Sequence, residues 1–155
     1  WNDPARGAEL AKSQFAGGVD VVFAAAGGTG IGVYQAAKDA GKLAIGVDSN
    51  QNHLQPGTML TSMVKRVDDA VYNAFKGVKP GVTALGLAEG GVDYALDEHN
   101  AKLVSADMKK KVDAAKGDII AGKIKVIEAP VFCGSDGGLA LAKYAQDSDW
   151  DRLVN

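Results

Sequence analysis

The sequence predicts an α/β domain with a mostly parallel sheet and helices on both faces. Residues 21–26 form an almost continuous apolar run, which is typical of a parallel strand that is covered on both sides. Stretches typical of strands and of helices then alternate along the chain, and this order produces parallel sheets. The expected architecture is therefore Rossmann-like or flavodoxin-like.

The first elements are indicated by capping residues and by helical spacing. Asp3 can cap a helix and Pro4 suits its first turn. Apolar residues then recur at helical intervals until Gly17 and Gly18 end them. Residues 19–25 are consequently predicted to be the first strand.

Apolar periodicity and the glycine and proline breaks predict the remaining elements. They are a helix over 31–39, a buried strand over 43–47, a strand over 59–64, a helix over 68–75, a strand over 82–87, a helix over 105–121 with Ser105 at its cap, a short strand over 124–127, a strand and turn within 129–138, and a helix over 139–147.

Length and charge exclude several functional classes. The chain has 155 residues, which is one domain's worth. Its net charge of -2, with basic and acidic residues interspersed, argues against nucleic acid or an anionic membrane as a partner. The one local basic cluster, residues 109–111, is interpreted as a solvated helix face.

The single cysteine, Cys133, excludes an internal disulfide and any metal site built from several cysteines. We interpret it as a small buried strand residue. No apolar run reaches the roughly 20 residues that span a bilayer, and the N-terminal residues have no signal-peptide anatomy. The chain is therefore expected to be soluble, and its start at Trp1 suggests a processed protein or a fragment.

A glycine-rich turn follows the first predicted strand. Gly27, Gly28 and Gly30 permit close backbone approach and leave N–H groups free at a helix start, where an anionic or oxygen-rich ligand is favoured. Asp48 follows the second strand, roughly 20 residues beyond the turn, and a carboxylate there can accept hydrogen bonds from a ribose. Tight packing of a helix on a strand would account for the same glycines.

Several phrases of the chain, in order, resemble the basic-membrane-protein family, the substrate-binding lipoproteins of ABC importers whose better-known members are purine-nucleoside receptors. The resemblance extends from residue 1 to about residue 126 and is most specific over 47–66. The phrases are WNDPARGAELA, GVDVVFAAAGGTGIGVYQAAKDAG, AIGVDSNQNHLQPGTMLTSMVKRVDDAVYNAF and GLAEGGVDYALDEHN, followed by IIAGKIKV.

The resemblance implies a two-lobed type I periplasmic binding protein that traps its ligand between two Rossmann-like lobes. This chain is similar mainly to the second lobe. Residues 1–128 are therefore expected to form a ligand-binding lobe, and residues 129–155 a C-terminal extension packed on the same domain. The first lobe and an ABC permease would be partners in the complete system, which is extracytoplasmic and lipid-anchored in the family. An exposed lobe face would also favour a homodimer.

The resemblance also implies a set of ligand contacts. Phe23 would stack on the nucleobase, the backbone of the turn Gly27-Gly28-Thr29-Gly30 would meet the ligand, and Asp48 and Lys65 would hold the ribose. Each has a plainer interpretation: Phe23 as core, Asp48 as a loop cap and Lys65 as a solvated charge. No catalytic residue, cofactor or metal ion is expected.

Three further residues, close in the sequence to the expected ligand contacts, are interpreted separately. His53 lies in the loop after Asp48 and is expected to be exposed and incidental, because no partner for acid–base chemistry accompanies it. Trp1 and Asn2 are expected to border the ligand cleft.

Two alternative functions stay open at this point. An NAD(P)-dependent oxidoreductase of the short-chain type is one, because GGTGIG and Asp48 imitate a dinucleotide fingerprint and Tyr72 and Lys76 spell YxxxK. In that family, however, the pair lies far downstream of the glycine turn together with a helper serine, whereas here it comes only about 40 residues after the turn. The other alternative is an isolated or engineered flavodoxin-like lobe that folds without binding a ligand.

Overall fold

A computed structural model describes residues 1–77 and 80–126. Their helices and strands alternate as expected for an α/β chain. The helices are α1 (Pro4–Ala16), α2 (Gly30–Asp39), α3 (Val67–Phe75) and α4 (Ala106–Ile120), and the strands are β1 (Val21–Phe23), β2 (Leu43–Asp48), β3 (Met59–Lys65) and β4 (Val92–Tyr94). Short 3-10 turns cover Gly27–Thr29 and Asn52–Leu54.

The four strands form one sheet in the order β1-β2-β3-β4. β1, β2 and β3 are parallel, and β4 runs antiparallel beside β3. The mostly parallel α/β fold predicted from the sequence is therefore confirmed. Because the first three strands point the same way, their carboxyl ends meet at one edge, which we call the carboxyl edge.

Helices α1 and α2 cover one face of the sheet. Asp3 caps α1 by accepting the backbone N–H of Arg6 at 2.9 Å, and Pro4 occupies the first turn, as predicted. The core beneath these helices is built mainly of small side chains, with three larger ones among them. The small ones are Ala11, Ala24, Val33, Ala36, Ala37 and Ala44, and the larger ones are Phe15, Tyr34 and Met59. Such small side chains require the two helices to lie close to each other and to the sheet.

Helix α4 lies on the opposite face and leaves an apolar groove between itself and the sheet. Ser105 caps α4 through the N–H of Met108, as predicted. The groove has a volume of about 350 Å³. Its lining comes from all four strands and from α4, and it includes Phe23, Ile45, Met63, Val112 and Ile119. Helices on both faces of the sheet are thus confirmed.

The predicted strand over 82–87 is wrong. The fourth strand is Val92–Tyr94, and it occupies the free edge of β3 by pairing Tyr94 with Met63. Residues 82–86 have no regular structure, and the side chain of Val82 is fully exposed. The chain then reverses at Gly90, whose φ is 70°, and Gly91 N–H donates to Gly86 O.

The sequence also predicted that β1 is buried on both faces. This prediction is wrong for the residues on the face that points away from α1 and α2. Val21 is 37% exposed and Phe23 is 53% exposed. The reason is that Phe23 lines the groove between the sheet and α4, so the helix covers that face of β1 only in part.

Of the elements predicted after α4, the structure tests only the first. The short strand predicted over 124–127 is absent from residues 124–126, which have no strand pairing. Residue 127, the predicted elements of 129–147 and Cys133 lie outside the described residues.

Candidate functional site

Asp48 and Lys65 meet at the carboxyl edge. Asp48 is the last residue of β2 and Lys65 the last residue of β3, and Asp48 lies in register with Val64 on the neighbouring strand. Lys65 Nζ contacts Asp48 Oδ1 at 2.7 Å. Both side chains are about half exposed, so the pair adds little to stability and is available to solutes.

The glycine turn follows β1 at the same edge and is in contact with the N-terminal residues. Thr29 Oγ1 accepts the backbone N–H of Asp3 at 2.9 Å, and Thr29 N–H donates to Trp1 O at 3.4 Å. Gly27 has a φ of 56°, and a Cβ atom on it would lie 3.0 Å from the backbone oxygen of Trp1. The turn therefore requires glycine at Gly27 for packing against residues 1–3, and this packing brings Trp1 and Asn2 to the carboxyl edge. That they border a ligand cleft stays a prediction.

Phe23 lies apart from the ion pair. It ends β1, pairs with Ile45 of β2 and lines the apolar groove. Asp48 and Lys65 are not among the described residues that line this groove. Phe23 is about half exposed, but the structure does not place it in a common pocket with the two charged residues.

A buried amide network next to Asp48 was missed by sequence reasoning. Asn52 and Asn100 are fully buried, and Asn52 Oδ1 accepts the hydroxyl of Ser62 at 2.8 Å. Asn100 Nδ2 donates to the backbone oxygens of Leu60 and Ala95. The signal for it was the serine at an inward position of β3, since a buried hydroxyl requires a polar partner.

Asp97 connects this network to the loop after Asp48. Its Oδ2 accepts the side-chain amides of Asn50 at 2.6 Å and Asn52 at 3.1 Å, and its Oδ1 accepts the N–H of His99. These hydrogen bonds, that of Asn50 first, hold the pKa of Asp97 below the ordinary value for a carboxyl group. The loop after Asp48 is therefore held by hydrogen bonds to the Asp97 carboxylate.

The YxxxK pair, Tyr72 and Lys76, forms a contact between neighbouring side chains at the end of one helix. The Nζ of Lys76 lies 4.5 Å from the centroid of the Tyr72 ring, one helical turn away. Tyr72 is 59% exposed on α3. The spacing therefore produces a cation–π contact on the helix surface.

The remaining expectations about chemistry can be tested only within the described residues. His53 is exposed, as expected. Within residues 1–77 and 80–126, no group of three or more His, Cys, Asp or Glu side chains is arranged to hold a metal ion. None of the described helices is long and apolar enough to cross a membrane.

A parallel α/β sheet with polar residues and a glycine turn at its carboxyl edge is the architecture of a ligand-binding domain. A family model described as ABC transporter substrate-binding protein PnrA-like matches residues 1–129. The chain belongs to this family, Bmp, as its sequence motifs suggested. The family consists of binding proteins and not of enzymes, so membership argues against the oxidoreductase alternative.

Curated relatives agree with this assignment. The chain is 38% identical over 135 residues to basic membrane protein D of Borreliella burgdorferi, covering 81% of this chain and 39% of that protein. It is 33% identical over 149 residues to the ABC transporter nucleoside-binding protein BmpA of Lactococcus lactis, covering 81% of this chain and 41% of that protein. The chain thus spans about two fifths of the length of these relatives.

A solved structure shows the same fold. It is an ABC transporter system solute-binding protein from Aeropyrum pernix, with a TM-score of 0.74 and 27% sequence identity. The superposition covers 93% of this chain and 49% of that chain. The fold is therefore consistent with one lobe of a periplasmic binding protein.

Proposed function

We propose that this chain provides a nucleoside-binding lobe of an ABC importer's substrate-binding protein, with a purine nucleoside as the ligand. The observation that carries the proposal is the ion pair of Asp48 and Lys65 at the carboxyl edge, at 2.7 Å and about half exposed. Open α/β sheets bind their ligands at this edge.

The two charged residues have complementary roles toward a ribose. Ionised Asp48 has acceptor positions for two neighbouring hydroxyl groups, because a carboxylate carries about four lone-pair sites. Lys65 donates only, so its Nζ can hold a sugar oxygen while it also holds Asp48. The relative from L. lactis, which is described as nucleoside-binding, supports a nucleoside as the ligand.

Phe23 and the glycine turn complete the proposed contacts. Phe23 is about half exposed, and its ring would stack on the base, a contact of about 1–3 kcal/mol where it forms. The backbone of Gly27, Gly28 and Gly30, with Thr29, would contact the ligand from the end of β1. The packing of the turn on residues 1–3 would bring Trp1 and Asn2 to the border of the same site.

The proposal also includes the surroundings of the chain. Residues 1–128 would act with a first lobe, and closure of the two lobes around the ligand would present a new surface to an ABC permease. The location would be extracytoplasmic, with the lipid anchor that is typical of the family. Residues 129–155 would be an extension of the lobe, and a homodimer through the exposed lobe face would be detected by sedimentation velocity.

Isothermal titration calorimetry with inosine, guanosine, adenosine, cytidine and NADP tests the ligand. We expect heat with the purine nucleosides and an affinity loss of about tenfold to a hundredfold in Asp48→Asn, because a charge-assisted hydrogen bond is lost. The matched control is Asp20→Asn, which removes the carboxylate paired with Lys42 just before β1 and β2, at the opposite edge of the sheet. Equal losses in both variants, or heat with NADP alone, would overturn the proposal.

A further inference from the structure

The backbone at Asp48 is unusual. Asp48 has a φ of 67° and is the one residue other than glycine with positive φ in the described part of the chain. Ser49 N–H donates to Val47 O at 2.8 Å, which closes a γ-turn around Asp48. γ-Turns with positive φ are rare and strained, and such a conformation persists where the surrounding structure holds it.

The side chain of Gln51 holds the residue on one side of this turn. Gln51 Oε1 accepts the backbone N–H of Val47 at 3.0 Å. Its own backbone N–H donates to Ser62 Oγ on β3 at 3.0 Å. Gln51 thereby connects the residue before Asp48 to the neighbouring strand.

Tyr34 fixes the orientation of the Gln51 amide. Its hydroxyl donates to Gln51 Oε1 at 2.7 Å, while its ring is 1% exposed in the core beneath α2. Burial, and secondly the negative charge of Asp48, raise the pKa of the Tyr34 hydroxyl, so it remains a donor at neutral pH.

The close approach of these groups depends on missing side chains. A Cβ atom on Gly46 would lie 3.1 Å from both Cβ and Oε1 of Gln51 and 2.7 Å from Ser62 Oγ. A Cβ atom on Gly30 would lie 2.9 Å from the Tyr34 hydroxyl oxygen. The two glycines therefore provide the space that Tyr34 and Gln51 occupy.

We propose that Tyr34 and Gln51 are positioning residues that hold the γ-turn at Asp48 and thereby direct its carboxylate to Lys65 and to the ligand. The claim that this positioning aids ligand binding rests on the proposed function. The claim that the two residues hold the γ-turn is independent of it, because the turn can be observed in the protein without any ligand.

Amide hydrogen exchange in the chain without ligand tests the positioning role. In Tyr34→Phe, which keeps the ring, we expect exchange of the Val47 and Ser49 amides to accelerate about tenfold, since one hydrogen bond contributes about that factor. The Ala44 amide, which is bonded to Thr58 O in the same strand, should be unchanged. Gln51→Met removes the Oε1 that accepts both the Tyr34 hydroxyl and the Val47 N–H, and it should accelerate the same two amides.

The matched control is Tyr72→Phe, which removes a hydroxyl from an exposed tyrosine and should change none of these amides. Uniform acceleration that includes Ala44, or unchanged exchange at Val47 and Ser49, would overturn the positioning role. A wild-type chain that binds none of the nucleosides would contradict the proposed function alone, and the exchange rates would still decide this inference.

Discussion

At the scale of single residues, the loop after Asp48 is held by polar groups that are removed from water. Asn52 and Asn100 are fully buried, and each has partners for its amide. Unsatisfied buried amides would be costly, so the network is stabilising only as long as every member is present. Asp97 is the charged member and makes the network sensitive to pH.

The pKa of Asp97 predicts acid sensitivity. Folding lowers this pKa, so the associated stability is present above an aspartate's ordinary pKa of about 4 and is lost as pH falls through the lower folded-state value. Asp97→Asn should therefore be less stable than the wild type at pH 7, and the difference in the free energy of unfolding should narrow as the pH falls below about 4. Urea unfolding at several pH values measures this, and a difference that stays constant with pH would contradict it.

At the scale of elements, the contact between α1 and α2 depends on glycine. A Cβ atom on Gly32 of α2 would lie 1.8 Å from Pro4 O at the start of α1. A Cβ atom on Gly7 of α1 would lie 2.4 Å from Thr29 O. These obstacles are backbone atoms, which cannot rotate away, so the two helices would have to separate.

Two alanine substitutions at helical glycines should have opposite effects. Gly32→Ala should lower the free energy of unfolding by about 1–3 kcal/mol, because the methyl group overpacks the α1–α2 contact. Gly117→Ala in α4 has no atom within 4 Å of the added Cβ and should raise it by about 0.5–1 kcal/mol through helix propensity. Chemical denaturation measures both, and a stabilising Gly32→Ala would show that the helices are not in close contact.

At the scale of the whole molecule, the chain corresponds to about two fifths of its curated relatives. A ligand bound at the carboxyl edge of one lobe is contacted by protein on one side only. Complete ligand pockets commonly bury about 70–90% of the surface of a small ligand. The proposed site would therefore reach full affinity only when a second lobe closes on it.

This difference predicts weak binding by the chain itself. We expect its dissociation constant for a purine nucleoside to be at least about a hundredfold higher than that of the full-length L. lactis relative, a difference of about 2.8 kcal/mol. Parallel calorimetry on the two proteins measures the ratio. Equal affinities would show that one lobe contains the complete site.

Local chemistry made most elements predictable. Asp3, Pro4 and Ser105 marked helix starts that the structure confirms, and the apolar runs marked β1, β2 and β3. The fourth strand was misassigned because residues 82–87 and 92–94 are both short and partly apolar. Pairing with β3 selects between them, and that pairing is a contact between residues far apart in the sequence.

The sequence by itself determined the mostly parallel α/β class and placed Asp48 and Lys65 at the ends of two strands, because apolar runs and the breaks after them mark where strands end. The strand order, which makes β2 and β3 neighbours and brings the two residues into contact, comes from the tertiary structure. The tertiary structure alone decided that β4 is antiparallel, that Phe23 faces an apolar groove, and that Tyr34 and Gln51 hold the backbone before Asp48. The physical reason is that capping and periodicity act within a few residues. A buried hydroxyl and a distant amide find each other only after the helices and the sheet have packed.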